Sequence, residues 1–296
     1  MNIFITGATG RLANYAIDYI KEFAPQANLY GLARSTNNSA TKSLIDRGVS
    51  IRVGDYANRE SLIKAFTGMD RLLFISFPDA TLSANVVAAA KAANVKFVAY
   101  TSVNGINYSK NGLEINHRQT EQLLRKTGIP HTFLRNSWYL EMELGPFDAA
   151  LITNNYYYLS DGLISYATRR EYAEAAARVI TGENYPEVLE LGRKATTPVT
   201  LGQSLERATG KVLSVKQVNA DTYQDWLKPY ERTGFELNMA EYVKRGNNGE
   251  NQVIPTDFEQ TLGHSLSPLS VAIKEMLNVR SSEVNRKDDK DFGGYK

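Results

Sequence analysis

The chain has 296 residues, of which 43% are hydrophobic and 22% charged, the composition of a globular protein with one large or two ordinary domains rather than of a disordered or fibrous chain. It has no cysteine and three histidines, which excludes disulfides, thiol nucleophiles and thiolate metal sites and argues against a zinc centre, so no metal is expected. A net charge of +2 gives no reason to expect direct nucleic-acid binding; with no uncharged apolar run near the roughly 18 residues that cross a bilayer and no basic leader ahead of the first apolar run, a cytoplasmic protein is expected.

Up to residue 135, short apolar runs alternate with stretches of helical period, the pattern of βα units feeding a parallel sheet. Strands are predicted at 2–6, 28–33, 50–54, 71–76, 96–101 and 131–135, and helices at 12–23, 40–47, 59–66, 81–93 and 114–126. Gly48, Gly68 and Gly128 each follow a helical stretch, where a left-handed residue is wanted. Pro130 stops the last of these helices. After about Asn136 the alternation breaks into scattered short elements that read as a smaller lobe. Thr168–Glu171 and Thr200–Gln203 both fit a capping box and open helices of about three turns. Strands are predicted at 156–159, 164–167, 188–191 and 212–218, and a final helix from Ser267-Pro268 to Leu277. From Arg280 the chain is too polar to bury and reads as a frayed tail. The expected division is a nucleotide-binding domain at 1–136, a substrate lobe at 137–279 that can exchange strands or helices with it, and a tail at 280–296. The fold class is α/β: a Rossmann-type doubly wound parallel sheet with a smaller C-terminal α+β lobe.

The first strand runs into Thr6-Gly-Ala-Thr-Gly10-Arg-Leu-Ala13 and then a helix. A turn that brings backbone amides and a helix N-terminus against a diphosphate requires small residues at Gly7 and Gly10, and Ala13 stands where close helix–strand packing needs another. Thr6, Gly7, Thr9, Gly10, Arg11 and Leu12 are therefore the expected cofactor cradle. At the end of the second strand NAD-binding chains usually place a carboxylate. Here the chain reads Tyr30-Gly-Leu-Ala-Arg34-Ser-Thr, so Arg34, with Arg11 and Ser35, argues for the 2′-phosphate of NADP(H). Asp55, after the third strand, either accepts from the adenine amine or caps the next helix.

The segments Gly7-Ala-Thr-Gly10-Arg-Leu, Gly54-Asp-Tyr56, Thr120-Glu-Gln-Leu-Leu, Gly128-Ile-Pro-His-Thr132, Leu134-Arg-Asn-Ser-Trp-Tyr139 and Tyr166-Ala-Thr-Arg-Arg170 resemble the NmrA-like atypical short-chain dehydrogenases. Within them they resemble the NADPH-dependent quinone reductases, with triphenylmethane reductases nearby. The resemblance runs in order from Met1 to about Leu277. It implies a Rossmann domain with a small substrate lobe and hydride transfer from NADPH without flavin. Ordinary short-chain dehydrogenases carry Tyr-x-x-x-Lys, yet none of the 17 tyrosines here has lysine four residues later. Alcohol oxidation and sugar-nucleotide epimerisation through that dyad are disfavoured. A quinone delocalises the charge left by hydride addition, so water can deliver its proton.

Ligands of open α/β sheets bind beyond the carboxyl ends of the strands, which brings in Ser76, Phe77, Thr101 and Ser102 as cofactor contacts. Phe77, Trp138 and Tyr139 offer flat walls for nicotinamide and an aromatic acceptor, and Asn136 a directional amide. In the related isoflavone-reductase branch, the place of His117 holds a lysine implicated in catalysis or cofactor contact. At its ordinary pKa of about 6.5, His117 could donate a hydrogen bond near neutral pH, with Glu121 one turn away to orient it. His117, Asn136 and Tyr139 are the catalytic candidates. The expected function is NADPH-dependent reduction of a quinone or similar conjugated molecule. The alternative is an NADP(H)-sensing regulator that reports to a protein partner with little or no turnover.

Overall fold

The computed structural model describes residues 1–108, 112–230 and 256–284. Contacts divide the chain into two compact units. The first takes Met1–Asn136, Arg169–Leu191 and Thr256–Gly263. Its strands are β1 (Asn2–Ile5), β2 (Asn28–Ala33), β3 (Ser50–Val53), β4 (Arg71–Phe74), β5 (Phe97–Val103) and β6 (His131–Asn136). Between them run α1 (Arg11–Phe23), α2 (Ser39–Asp46), α3 (Arg59–Phe66), α4 (Ala80–Ala92) and α5 (Leu113–Thr127). Gly48, Gly68 and Gly128 have φ of 76°, 81° and 73°, the left-handed geometry that ends a helix without a Cβ penalty.

The second unit begins with β7 (Trp138–Tyr139), followed after a 3₁₀ turn by α6 (Leu144–Thr153), β8 (Asn155–Tyr158) and β9 (Tyr166–Ala167). The chain then returns to the first unit as α7 (Arg169–Thr181) and β10 (Val188–Leu191). The sheet has seven strands in the order β10–β6–β5–β4–β1–β2–β3, and every pairing is parallel. Strand 188–191, from the stretch expected to exchange strands or helices with the nucleotide-binding domain, thus joins the sheet of the first unit. Pairing Val188 with Phe133 and Leu191 with Asn136 covers backbone groups that β6 would otherwise leave open at an edge. Helix α7 packs along α1. Its Tyr172, Ala173, Ala176 and Val179 are buried, and the small side chains let the two helices approach closely. Arg170 Nε donates to Tyr19 Oη at 2.9 Å, and the Arg178 guanidinium lies 4.4 Å from the Phe23 ring centroid. Phe4, Phe66, Phe74, Tyr100 and Phe133 are buried in one core cluster with the aliphatic faces of β4 and α4.

In the second unit β7 pairs with β9 and β8 with β11 (Ser214–Gln217), both in parallel. Among the described residues, helices α6, α8 (Pro198–Thr209), α9 (Ala220–Leu227) and the helix Leu269–Val284 also belong to it. Its core includes Trp138, Phe147, Tyr156, Tyr166, Leu205 and Trp226. A Cβ on Gly202 would stand 2.8 Å from the Tyr156 ring, so glycine lets α8 lie close to β8. Two expectations shift here. Helix α8 is capped by Thr197, which accepts from Thr200 N–H at 3.2 Å, rather than by Thr200. Pro198 explains the earlier start, because its fixed φ suits the first helical position. The helix from Leu269 continues past Leu277 and Arg280 to Val284: polar residues extend a helix already nucleated by the buried Ala272, Ile273 and Met276. The rest of the predicted tail, 285–296, lies outside the described residues. No helix among the described residues is long and apolar enough to cross a membrane.

Candidate functional site

The strand order reverses at β1, with β2 and β3 on one side and β4, β5, β6 and β10 on the other. At the carboxyl end of β1 the chain turns through Gly7, whose φ is +57°, and Gly10 N–H donates to Gly7 C=O at 2.9 Å. A Cβ on Gly10 would come 3.1 Å from that carbonyl, so a side chain here would press on the turn. Ala8 is fully buried and fits only because β2 carries Gly31 beneath it: a Cβ there would lie 2.8 Å from Ala8 Cβ. Gly10 is the N-cap of α1, which has neither a side-chain cap nor an acidic residue in its first turn. An N-terminus of this kind offers amide donors and a positive dipole end to an anion. Leu12 and Ala13 are buried and anchor the helix, whereas Thr9 and Gly10 are exposed on the turn.

Thr6 ties the two sides of the reversal together. Its hydroxyl accepts from Ile75 N–H at 2.9 Å, just beyond β4. Tyr56, after β3, reaches the same place and accepts the Gly7 N–H at 2.9 Å. Burial raises the pKa of this phenol above its ordinary value, so it stays protonated. Its ring packs on Phe77 with centroids 4.5 Å apart. Only the Gly-Asp-Tyr segment of the resemblance marked Tyr56 in the sequence; a lone tyrosine after a strand carries no signal of such a bond. Arg34 is exposed directly after β2, and its charge acts on Tyr56. Asp55 does not cap α3. Asn58 does, accepting from Ser61 N–H at 3.0 Å, while Asp55 Oδ1 accepts from Ala57 N–H at 2.9 Å in a local turn.

Thr101 and Ser102, neighbours on β5, face opposite sides as strand pleating requires. Thr101 Oγ1 accepts from Ser76 N–H at 2.8 Å and bonds Ser76 Oγ at 3.1 Å, fixing the ends of β4 and β5. Ser102, expected to touch the cofactor, instead donates its hydroxyl to Glu121 Oε1 at 2.7 Å. Glu121 is buried and also takes Arg135 through Nε at 3.0 Å and Nη2 at 2.8 Å, and Arg135 continues to Glu190 at 3.0 Å. This bidentate pair holds the guanidinium charged. The carboxylate that was to orient His117 is thus engaged elsewhere.

His117 is buried, with Nδ1 3.0 Å from Tyr100 Oη. Burial lowers its pKa to about 4, against a weaker upward pull from Glu121. His117 is therefore neutral at physiological pH, a correction to the readiness for protonation that a helix-surface histidine would have. One residue earlier, Asn116 Nδ2 donates to the Phe77 carbonyl at 2.7 Å, so α5 and the end of β4 are linked at this edge. Asn136 is buried at the end of β6, where its carbonyl accepts from Asn104 N–H at 3.0 Å. Trp138 and Tyr139 belong to the second unit, and Trp138 is part of its core. In that unit Tyr166 donates its hydroxyl to Glu143 Oε1 at 2.9 Å. No group of His, Asp and Glu able to hold a metal ion occurs among the described residues.

A parallel sheet whose strand order reverses at a glycine turn, with a helix N-terminus that has no side-chain cap at the reversal, defines an α/β protein of the dinucleotide-binding class. The chain belongs to the NmrA-like family, whose model matches residues 1–276. It is 33% identical over 290 residues to quinone oxidoreductase 2 of Escherichia coli, covering 94% of this chain and 100% of that protein. The crystal structure of an Escherichia coli NADPH-dependent quinone oxidoreductase complexed with NADPH superposes with a TM-score of 0.83 at 32% identity, covering 93% of this chain and 100% of that one. Triphenylmethane reductase of a Citrobacter species superposes with a TM-score of 0.84 at 31% identity, over 94% and 100% of the two chains.

Proposed function

We propose that this protein is an NADPH-dependent oxidoreductase that reduces a quinone or similar conjugated small molecule without flavin. The observation that carries the reading is end-to-end likeness to an NADPH-dependent quinone reductase, joined to an arginine rather than a carboxylate at the end of β2. In its bound state NADPH supplies the hydride, and one proton from water completes the conversion of quinone to hydroquinone.

The residues act by binding and orientation. Thr6, Gly7, Thr9, Gly10, Arg11 and Leu12 form the diphosphate cradle, and Arg34 takes the 2′-phosphate. Asp55 is left with its second carboxylate oxygen for the adenine edge. Ser76, Phe77 and Thr101 line the path toward the nicotinamide. Asn136, at the end of β6, is assigned to the acceptor end. His117 serves as a neutral hydrogen-bonding group, since its lowered pKa removes it as a cationic acid. Ser102 supports β5 and β6 through Glu121 rather than touching ligand. A cytoplasmic setting and a small-molecule partner go with this reading.

The test is oxidation of NADPH by the purified protein across a panel of quinones. Hydroquinone formed in a one-to-one ratio with NADP⁺, in protein free of flavin absorbance, supports it. Firm NADP⁺ binding with no turnover on any acceptor would favour the regulatory alternative, and a pull-down repeated with NADP⁺ and NADPH would then look for a redox-dependent protein partner.

A further inference from the structure

We infer that Tyr56 is a positioning residue for the diphosphate-binding turn, holding Gly7 in register through its phenol oxygen; the inference rests on the dinucleotide site proposed above. In the sheet β3 is separated from β1 by β2, yet the side chain that follows β3 accepts the first amide of the β1 turn at 2.9 Å. The Thr6 side chain lies close enough to the same phenol to influence it, and Thr6 is itself fixed to Ile75 N–H. Tyr56 is held from two further directions. Its carbonyl accepts Asn85 Nδ2 from α4 at 2.9 Å, and its ring rests on Phe77 beyond β4. The segments after β1, β3 and β4 are thereby joined at the point where the strand order reverses.

Gly7 has a positive φ, +57°, which a flexible glycine adopts only as one of many conformations. Its N–H is part-buried, so without an acceptor the turn would have to open toward water or leave a donor unsatisfied. Tyr56 therefore selects the conformation in which the following amides face a ligand. Because the diphosphate is common to both nicotinamide cofactors, the effect of this contact does not discriminate between them. That separates Tyr56 from Arg34.

The test compares wild type, Tyr56→Phe and Asn85→Ala by titration with NADPH and NADH, by steady-state kinetics with a quinone, and by thermal melting. Tyr56→Phe keeps the ring on Phe77 and removes only the oxygen. We expect the Kd of both cofactors to rise by one common factor of about ten, the cost of one orphaned amide, with kcat at saturating NADPH changed less than about twofold. Asn85→Ala should shift both Kd values by a smaller common factor and serves as the second probe should the phenylalanine variant fold poorly. Unchanged Kd values in both variants overturn the inference, as does a loss confined to NADPH or a fall in kcat at constant KM. A wild-type protein that binds neither dinucleotide overturns the functional reading itself and this inference with it.

Discussion

Arg34 and His117 are both basic side chains picked out by sequence, and their surroundings give them opposite expected roles. Arg34 is exposed at the end of β2, where a guanidinium can meet a phosphate as a planar fork. Arg34→Ala is expected to raise the Kd for NADPH by about ten- to a hundredfold, the worth of a charge-assisted contact, while NADH binding changes little. Titration with both cofactors checks this, and equal losses would remove Arg34 from the 2′-phosphate. His117 is enclosed by Tyr100 with Glu121 nearby, and its pKa falls from 6.5 to about 4. A histidine kept neutral in the fold but free to protonate when unfolded binds fewer protons in the native state between those values. Stability should therefore be full above about pH 6.5 and decline as pH falls toward 4, by an amount on the order of 3 kcal/mol at most. His117→Gln should flatten that part of a Tm-against-pH curve; a wild-type Tm with no fall between pH 7 and 4.5 would contradict the neutral assignment. The identity of each residue was legible in the sequence, but its protonation was not. Helical period places His117 and Glu121 on one face without saying whether that face meets water or β5.

Elements show where close approach matters. Strand β2 must pass under the β1–α1 turn, and Gly31 leaves the space that Ala8 fills. Gly31→Ala would place its new methyl 2.8 Å from Ala8 Cβ, and an overpacked contact of this kind costs about 1–3 kcal/mol. We expect a lowered Tm together with weaker binding of both dinucleotides, since the turn is what must move; adding Ala8→Gly should recover much of both. A stable variant with unchanged affinity would show that the turn tolerates the shift. The glycines of the turn were readable from the pattern after β1, because a tight local bend needs them whatever lies around it. Gly31 was not, since its requirement comes from a loop more than twenty residues away. Ser102 illustrates the same limit: the strand could be read, but not which face of β5 would hold Glu121 and Arg135.

On the scale of the molecule, the first unit is assembled from separate parts of the chain. Residues 1–136 supply most of the sheet, but β10 covers β6, and α7 buries Tyr172, Ala173 and Ala176 in the same unit as α1. The short helix Thr256–Leu262 adds Phe258, stacked 5.4 Å from Tyr172. A fragment ending at Asn136 would expose this apolar surface and the edge of β6. It is expected to lack a cooperative thermal transition and to bind a hydrophobic dye; a sharp melt comparable to that of the full chain would show that the later segments are dispensable. By itself the sequence determined the βα alternation, the glycine bend and the left-handed helix ends, because apolar period and backbone freedom are properties of neighbouring residues. Only the tertiary structure decided that β10 returns to the sheet, that Tyr56 holds Gly7, and that Glu121 serves Arg135 instead of His117. Those depend on which distant groups must be desolvated together, and a linear pattern does not encode that pairing.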